Sequence, residues 1–285
     1  VYLQTTYLNL LKRRLLLRTV KQEAEKNPGK ELSVIKIAHE LARNLEHEKI
    51  IDTTESGTVL DPEREAWKTL LYEMQTGDRN GLVNLGFLQF KYRSTFSSDY
   101  DPFTEEELIN IDELLMDSFL RDGAISLPVT LTAADYKEVL FQPSPAVFIK
   151  EKSSTDKNVM NTHSWVGKHN RRVQILRKTE KFSDYEKLQD FLSEFWDAKI
   201  EFTGSEGRIL EQHNLGYQLN PAYITIDVTG LNNYQHMRCN ICGKVSPQNF
   251  FNKCIQNRCP GSLSAIDEKD FKLYQKENLE KENLF

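Results

Sequence analysis

Hydrophobic residues recur three or four positions apart along the first third of the chain, which is the spacing of an amphipathic helix. They predict one long helix over residues 3–26, which ends at the turn signal Asn27-Pro28-Gly29. Ser33 and Asp61 each precede another amphipathic stretch, and Pro62 fits the first position of a helix. We therefore predict two further helices that begin after these capping residues.

A fourth helix lies between two predicted strands. Thr104 and Glu107 have the spacing of a capping box and predict the start of this helix, which stops at Gly123. Alternation in GLVNLGFLQFKYR predicts a strand around residues 88–92, and GAISLPVTLT predicts a second short strand over residues 123–132. The order of helix, glycine turn and short strand is compatible with a winged-helix-like unit.

The second half of the chain becomes polar after Pro143 and Pro145, and EKSSTDKNVMNTHS is typical of an exposed loop. Helical spacing then resumes, with Ser183 as the predicted N-cap and Glu186 three residues later, and AYITIDV alternates like a strand. We place a domain boundary near residue 150. The predicted segments are a helical region (1–150), a basic segment with helical and β structure (151–230), a four-cysteine element (231–266) and a charged tail (267–285).

Composition places the chain among ordinary globular proteins, with 39% hydrophobic and 28% charged residues. The formal net charge of −5 over 285 residues argues against a uniformly basic nucleic-acid binder. No run of eighteen apolar residues occurs, so the sequence predicts no membrane partner and a cytoplasmic location. Because the chain starts at Val1 inside an apparent helix, we expect it to be part of a longer polypeptide.

Positive charge is concentrated between Lys150 and Lys181, where nine Lys or Arg residues accompany three acidic residues. Basic side chains neutralise phosphates, amides donate hydrogen bonds to nucleic acids, and indole rings stack on bases. The candidate nucleic-acid-binding residues are Trp165, Lys168, Asn170, Arg171, Arg172, Arg177 and Lys178. In the alternative interpretation, Trp165 anchors a loop to the core and the arginines are ordinary solvated charges.

All four cysteines lie in one segment, with the spacing Cys239-x2-Cys242-x11-Cys254-x4-Cys259. A two-residue gap lets two thiolates bind one ion from a tight turn, and a second pair completes the tetrahedral shell that Zn²⁺ prefers. Four protein ligands leave no open position for water, so we predict one structural zinc ion per chain. Two disulfides are the alternative, which a reducing compartment disfavours. The predicted fold is α+β, mainly helical, with this small zinc-bound β element near the C-terminus.

Three aromatic residues lie close to the cysteines. His236 precedes the first cysteine by three residues, and we expect it at the surface or beside the ligands rather than among them. Phe250 and Phe251 stand between two lysines, where rings are able to stack on bases. The favoured interpretation is that these two rings fill a small core beside the metal.

No motif for catalysis occurs in the chain. LINIDELL imitates the apolar run and Asp-Glu pair of a magnesium site, but no phosphate-binding G-x-x-x-x-G-K-[ST] accompanies it. We therefore predict a helix with Asp112 and Glu113 on its solvated face. G-x-S-x-G and H-E-x-x-H are also absent from the sequence, so we expect no catalysis by this chain alone.

Four short stretches follow one another along the chain: RNGLVNLGFLQFKY (79–92), SWVGKHNRRVQIL (164–176), FLSEFWDAKI (191–200), and YQHMRCNIC followed by CPGSL. In this order they resemble part of the large bacterial superfamily-two DEAD/DEAH-type helicases that carry a four-cysteine helicase-associated domain. This group includes DNA-repair and anti-phage defence helicases. The resemblance covers about residues 60–265, and the cysteine pattern is its firmest part.

The resemblance implies that the chain lies C-terminal to the two motor lobes of a helicase. Only those lobes would bind ATP and Mg²⁺. It supports the four cysteines as zinc ligands, and it marks Asn170 and Arg171 as matches to a family landmark. We therefore expect a non-catalytic part of an ATP-dependent DNA helicase, whose partners are DNA and the remaining helicase lobes. The alternative is a protein-interaction scaffold with a structural zinc element and no nucleic-acid binding.

Overall fold

The computed structural model of the chain describes residues 2–51, 61–75, 81–83, 85–93, 103–140, 147–151, 162–228, 236–246, 249–256 and 258–281. Helices predominate in an α+β fold, as the sequence predicts. The α-helices of these residues are α1 (Tyr2–Lys26), α2 (Val34–His47), α3 (Pro62–Gln75), α4 (Glu105–Asp122), α5 (Ala133–Leu140), α6 (Arg171–Leu176), α7 (Tyr185–Glu201) and α8 (Glu268–Lys281).

The strands are short and form several small sheets. They are β1 (Leu32–Ser33), β2 (Leu88–Tyr92), β3 (Phe148–Lys150), β4 (Thr162–Ser164), β5 (Thr203–Gly204), β6 (Gly207–Arg208), β7 (Leu210–His213), β8 (Gly216–Leu219), β9 (Ile224–Val228), β10 (Met237–Cys239), β11 (Val245–Ser246) and β12 (Leu263–Ala265). Antiparallel sheets have the orders β1-β9-β2, β11-β10-β12 and β5-β6. The sheet β4-β3-β8-β7 is mixed, because β3 and β4 run parallel.

Residues from both halves of the chain share one hydrophobic core. Ile226, in the central strand β9, pairs with Leu32 on one side and with Phe90 on the other. The cluster of buried side chains extends from Leu15 to Phe250 without a break near residue 150. The segments on either side of the boundary predicted there are therefore packed against each other.

Most of the predicted helix ends are confirmed, because local capping chemistry determines them. Helix α1 ends before the turn at Asn27-Pro28-Gly29. At the start of α4, the N–H of Glu107 donates to Thr104 Oγ1 at 3.2 Å, and the N–H of Thr104 donates to Glu107 Oε2 at 2.8 Å. Gly123 ends this helix with a φ of 80°, a left-handed conformation that costs little without a Cβ.

The strand predicted in GAISLPVTLT is wrong. Ile125 forms only an isolated bridge to Leu219, and the N–H of Ser126 donates to the carbonyl of the same leucine. Pro128 has no N–H with which to extend the pairing. The winged-helix-like arrangement that relied on this strand is not confirmed.

The structure differs in detail from two other predictions. Asp184, and not Ser183, is the N-cap of α7, because its carboxylate accepts from the N–H of Glu186 at 2.9 Å. In the loop predicted over residues 151–164, residues 152–161 lie outside the described part of the chain. The end of that loop forms β4, which pairs with β3.

The predicted solvated face of α4 is wrong at Asp112. The helix itself is confirmed, but Asp112 is buried, and its Oδ1 lies 2.8 Å from Lys199 Nζ on α7. The partner lies far along the chain, so the local pattern does not reveal this pair. Asp112 of LINIDELL therefore belongs to the packing between α4 and α7, not to a magnesium site.

Candidate metal centre

The four cysteines converge on one point at the end of the β11-β10-β12 sheet. Their Sγ atoms all lie within 4.8 Å of one another. Cys239 Sγ lies 3.7 Å from Cys259 Sγ, and Cys242 Sγ lies 3.6 Å from Cys254 Sγ, so each of these contacts joins the first pair to the second. Within the described residues, this is the one cluster of His, Cys, Asp and Glu side chains suited to hold a metal ion.

Glycines make room for this convergence in two different ways. Gly243 follows the first pair with a φ of 69°, and its N–H donates to the carbonyl of Cys239 at 3.0 Å, which closes the first turn. Gly261 is needed for close approach instead, because a Cβ at this position would overlap Cys239 Sγ. Gly243 thus allows the first turn, whereas Gly261 provides space for a sulfur atom.

Backbone N–H groups point at two of the sulfurs. The N–H groups of Ile241 and Cys242 lie 3.4 and 3.5 Å from Cys239 Sγ, and that of Gln256 lies 3.4 Å from Cys254 Sγ. Burial raises the pKa of the Cys239 thiol, but these donors lower it to about 7. Burial raises the pKa of Cys254. Coordination to a divalent cation deprotonates such thiols outright.

The donor set and its dimensions fit a tetrahedral zinc ion. A Zn–S distance of about 2.3 Å gives a tetrahedron with edges of about 3.8 Å, close to the sulfur separations of 3.7 and 3.6 Å. A disulfide requires an S–S distance of about 2.05 Å, and the cysteines are free thiols in the structure. The four cysteines therefore form a site able to hold one metal ion, with no position open to water.

The metal site takes the place of a hydrophobic core for its segment. The buried cluster around the β11-β10-β12 sheet consists of Met237, Cys239, Cys254, Cys259 and Leu263, so three of its five members are candidate ligands. Two apolar side chains bury too little surface to fix a sheet of this size. We infer that the segment depends on its sulfurs for stability.

Two residues of the basic segment hold the Cys254–Cys259 loop. Lys178 Nζ donates to the carbonyl oxygens of Cys254 and Gln256, each at 2.7 Å, and to that of Cys259 at 3.0 Å. Arg171 Nη2 donates to the carbonyl of Ile255 at 3.4 Å. Burial lowers the pKa of Lys178, while the nearby cysteines act in the opposite direction. Both cations face the protein in this structure.

Trp165 lies in the core, in agreement with the alternative interpretation that it anchors a loop there. It is fully buried, and its ring centroid lies 5.2 Å from that of Phe119 and 5.8 Å from that of Phe195. The indole N–H donates to the carbonyl of Leu192 at 2.8 Å. The ring is therefore covered on its faces and satisfied at its polar edge, which leaves no surface for a base.

Arg172 is buried with Trp165 and forms an ion pair with Asp122. Its guanidinium carbon lies 4.6 Å from the indole centroid, and its Nε donates to Ser118 Oγ at 3.0 Å. A second nitrogen donates to Asp122 Oδ2. Because the side chain of Arg172 is only 1% exposed, it belongs to the packing of α4 against α6 and not to a surface.

The Arg172–Asp122 pair predicts a pH dependence of stability. Burial raises the pKa of Asp122, but His163 and Arg172 outweigh it, and the net pKa lies below 3.8. The carboxyl group of Asp122 therefore binds a proton more readily in the unfolded chain than in the folded one. The stabilisation that the ion pair provides is complete above pH 3.8 and is lost as the pH falls through the pKa of the folded state. We expect the difference in unfolding free energy between the wild type and Asp122→Asn to shrink as the solution is acidified. A difference that stays constant in urea titrations from about pH 6 to about pH 3 would contradict this prediction.

Of the remaining candidate residues, one supports the local backbone and two have exposed side chains. The amide of Asn170 donates to the carbonyl of Ser164, so it supports the turn before α6. Lys168 and Arg177 are exposed, and Lys168 Nζ lies 5.6 Å from the ring centroid of Tyr185. Of the seven candidates, these two remain accessible. Lys152 and Lys157 of the basic stretch lie outside the described residues.

The aromatic residues near the cysteines face the main body of the fold. Phe250 is 1% exposed and belongs to the main core, and Phe251 packs against Phe103 with ring centroids 6.3 Å apart. His236 is buried and stacks on Phe271 of α8 with centroids 3.7 Å apart. The two phenylalanines thus fill a core, as favoured from the sequence, but it is the main core rather than one beside the metal.

Sequence reasoning missed a set of exposed cations on the four-cysteine element. Residues 236–266 contain four basic and no acidic side chains, although the whole chain is acidic. Lys244 donates to Gln256 Oε1 at 2.9 Å, whereas Arg238, Lys253 and Arg258 are exposed. A charge count restricted to this segment would have found them.

Comparison of the chain with protein-family models, with curated proteins and with solved structures gave no match. None of the described helices combines the length and the hydropathy that crossing a bilayer requires. The site is therefore interpreted from its own geometry.

Proposed function

We propose that the chain is a non-catalytic accessory region of an ATP-dependent helicase, which contacts nucleic acid through exposed cations and is stabilised by one structural zinc ion. ATP and Mg²⁺ would bind only to the motor lobes of the parent protein. A reducing, cytoplasmic compartment is part of the proposal, because it keeps the four thiols available for the metal.

The attachment of the basic segment to the cysteine loop supports this proposal. Lys178 and Arg171 donate hydrogen bonds to carbonyls of the loop, so two segments of the chain with excess positive charge are packed together. Phosphate contacts supply most of the affinity of non-specific nucleic-acid binding. The side chains proposed to make these contacts are Lys168, Arg177, Arg238, Lys253 and Arg258.

Salt dependence tests the phosphate contacts. If about five phosphates are neutralised on a single strand, the affinity falls about 10²-fold between 50 and 200 mM salt. Fluorescence anisotropy with labelled single-stranded and duplex oligonucleotides measures this fall and shows which form is preferred. The absence of binding at 50 mM salt would refute the nucleic-acid proposal.

A double variant, Lys253→Ala with Arg258→Ala, tests the residues themselves. We expect weaker binding and a salt slope reduced by about one for each phosphate that is no longer neutralised. Lys26→Ala with Arg43→Ala is the matched control, because both side chains are well exposed on the N-terminal helices and the change in net charge is the same. Equal binding by the two double variants would contradict the assignment of these residues to phosphate binding.

Ile241 favours a second candidate function, docking of a protein partner. It lies between Cys239 and Cys242 and is 62% exposed, which is the highest exposure among the large hydrophobic residues described. As a scaffold, the chain would bind the helicase lobes and not DNA. Ile241→Ser should then weaken binding to the purified lobes in a titration, while no oligonucleotide binds to either form at low salt.

A further inference from the structure

The ammonium group of Lys178 occupies the centre of the second cysteine turn. Lys178 lies two residues after the end of α6, and its three N–H donors are directed to the carbonyls of Cys254, Gln256 and Cys259. An ammonium has three N–H bonds, so its donor capacity is filled by one loop. Two of its three acceptors belong to candidate metal ligands.

Without a cation at this point, the conformation of the Cys254–Cys259 loop would be energetically unfavourable. Three carbonyl dipoles converge on one site, and partly buried acceptors without a donor cost free energy. The loop also holds Arg258 at a φ of 60°, a conformation that is uncommon for a residue with a Cβ. Lys178 offsets both costs, because its three hydrogen bonds span the loop from one ligand to the other.

Charge balance provides a second, independent argument. Four thiolates around a divalent ion carry a net charge of about −2. Lys178 Nζ donates to the carbonyls of Cys254 and Cys259, and Arg171 Nη2 donates to that of Ile255, which lies between them. Two cations therefore lie beside a centre that needs two positive charges for neutrality. Removal of a group that orients a metal ligand typically lowers metal affinity by 10–100-fold.

We propose that Lys178 is a positioning residue of the metal centre, which holds the Cys254–Cys259 loop in its metal-binding conformation and couples metal occupancy to the order of α6. Binding couplings are reciprocal, so the metal orders α6 to the same extent that Lys178 retains the metal. This role of Lys178 concerns the metal alone and does not depend on nucleic-acid binding.

Zinc competition with a chromophoric chelator tests the first half of the proposal. Lys178→Met keeps the length of the side chain and removes the charge and the donors, so we expect a 10–100-fold loss of zinc affinity. Arg177→Met is the matched control, because it removes one positive charge from the adjacent exposed position. Zinc affinity of Lys178→Met equal to that of the control would overturn the proposal.

Lys178→Arg separates geometry from charge. Arginine keeps the positive charge, but its planar fork does not match three carbonyls that converge on one point. We expect zinc affinity between those of the wild type and Lys178→Met. If Lys178→Arg binds zinc as tightly as the wild type, the loss of affinity in Lys178→Met is due to charge alone, and the positioning role is overturned.

Hydrogen exchange tests the coupling and does not depend on the variant being folded. In the wild-type protein, we expect removal of zinc to increase amide exchange over residues 171–178 and to leave α2 unchanged. Unaltered protection of residues 171–178 would overturn the coupling. In folded Lys178→Met, addition of zinc should protect the cysteine segment without protecting α6.

Discussion

Arg172→Met is expected to lower the free energy of unfolding by about 3 kcal/mol. The substitution keeps much of the volume but leaves the carboxylate of Asp122 without its guanidinium partner in a partly buried position. Breaking one side of a buried ion pair costs about 3–5 kcal/mol. We expect the lower end of this range, because the side chain of Asp122 is 25% exposed and also faces His163.

The measurement is urea unfolding followed by tryptophan fluorescence, since Trp165 packs directly on Arg172. Arg177→Met is the control and should change stability by no more than about 0.5 kcal/mol, because its side chain is exposed. Equal stabilities of the two variants would show that Arg172 is not a packing residue. Arg172→Ala is for the same reason unsuitable as a test of nucleic-acid binding, because the substitution lowers the stability of the fold together with any change in binding.

Removal of zinc is expected to unfold residues 236–266 and to loosen α6, while the N-terminal helices α1 to α4 stay folded. Three of the five members of the buried cluster around its sheet are cysteines. The other two, Met237 and Leu263, are too few to hold the sheet together, although Phe250 of the same segment is buried in the main core. Structural zinc contributes about 10–16 kcal/mol to the folding of small zinc-finger peptides at neutral pH. Cys254→Ser should have the same effect as a chelator.

Hydrogen exchange measured by mass spectrometry follows this change element by element. Protection of β10, β11 and β12 should be lost, whereas α2 should exchange as before. Ser264→Ala serves as the control variant, because Ser264 is an exposed residue of the same sheet. Elemental analysis should find about one zinc per chain, and a metal-free protein with an intact sheet would contradict the structural role of the site.

Local chemistry explains which parts of the fold could be predicted from the sequence. The start of α4 depends on Thr104 and Glu107, and its end depends on Gly123, so a window of a few residues contains the information. The cysteine site could be predicted for a related reason, because the short spacing within each pair already fixes the turn that presents two sulfurs.

Contacts between distant residues explain what could not be predicted. Arg172 is buried by Asp122, fifty residues away, and Lys178 faces inward because of carbonyls 76 to 81 residues later in the chain. A charge count treats both as surface cations. One local signal was present, since Val173, Ile175 and Leu176 occupy more than one face of a short helix and leave little of it for solvated charges.

The position of β9 in the middle of the β1-β9-β2 sheet determines when this part of the chain completes its fold during synthesis. Its partners β1 and β2 leave the ribosome first, and β9 ends 136 residues after β2, from Tyr92 to Val228. Translation at about 5–20 residues per second makes this interval on the order of ten seconds. For that time both partner strands have unpaired edges, so the nascent chain needs protection from aggregation until Val228 has emerged.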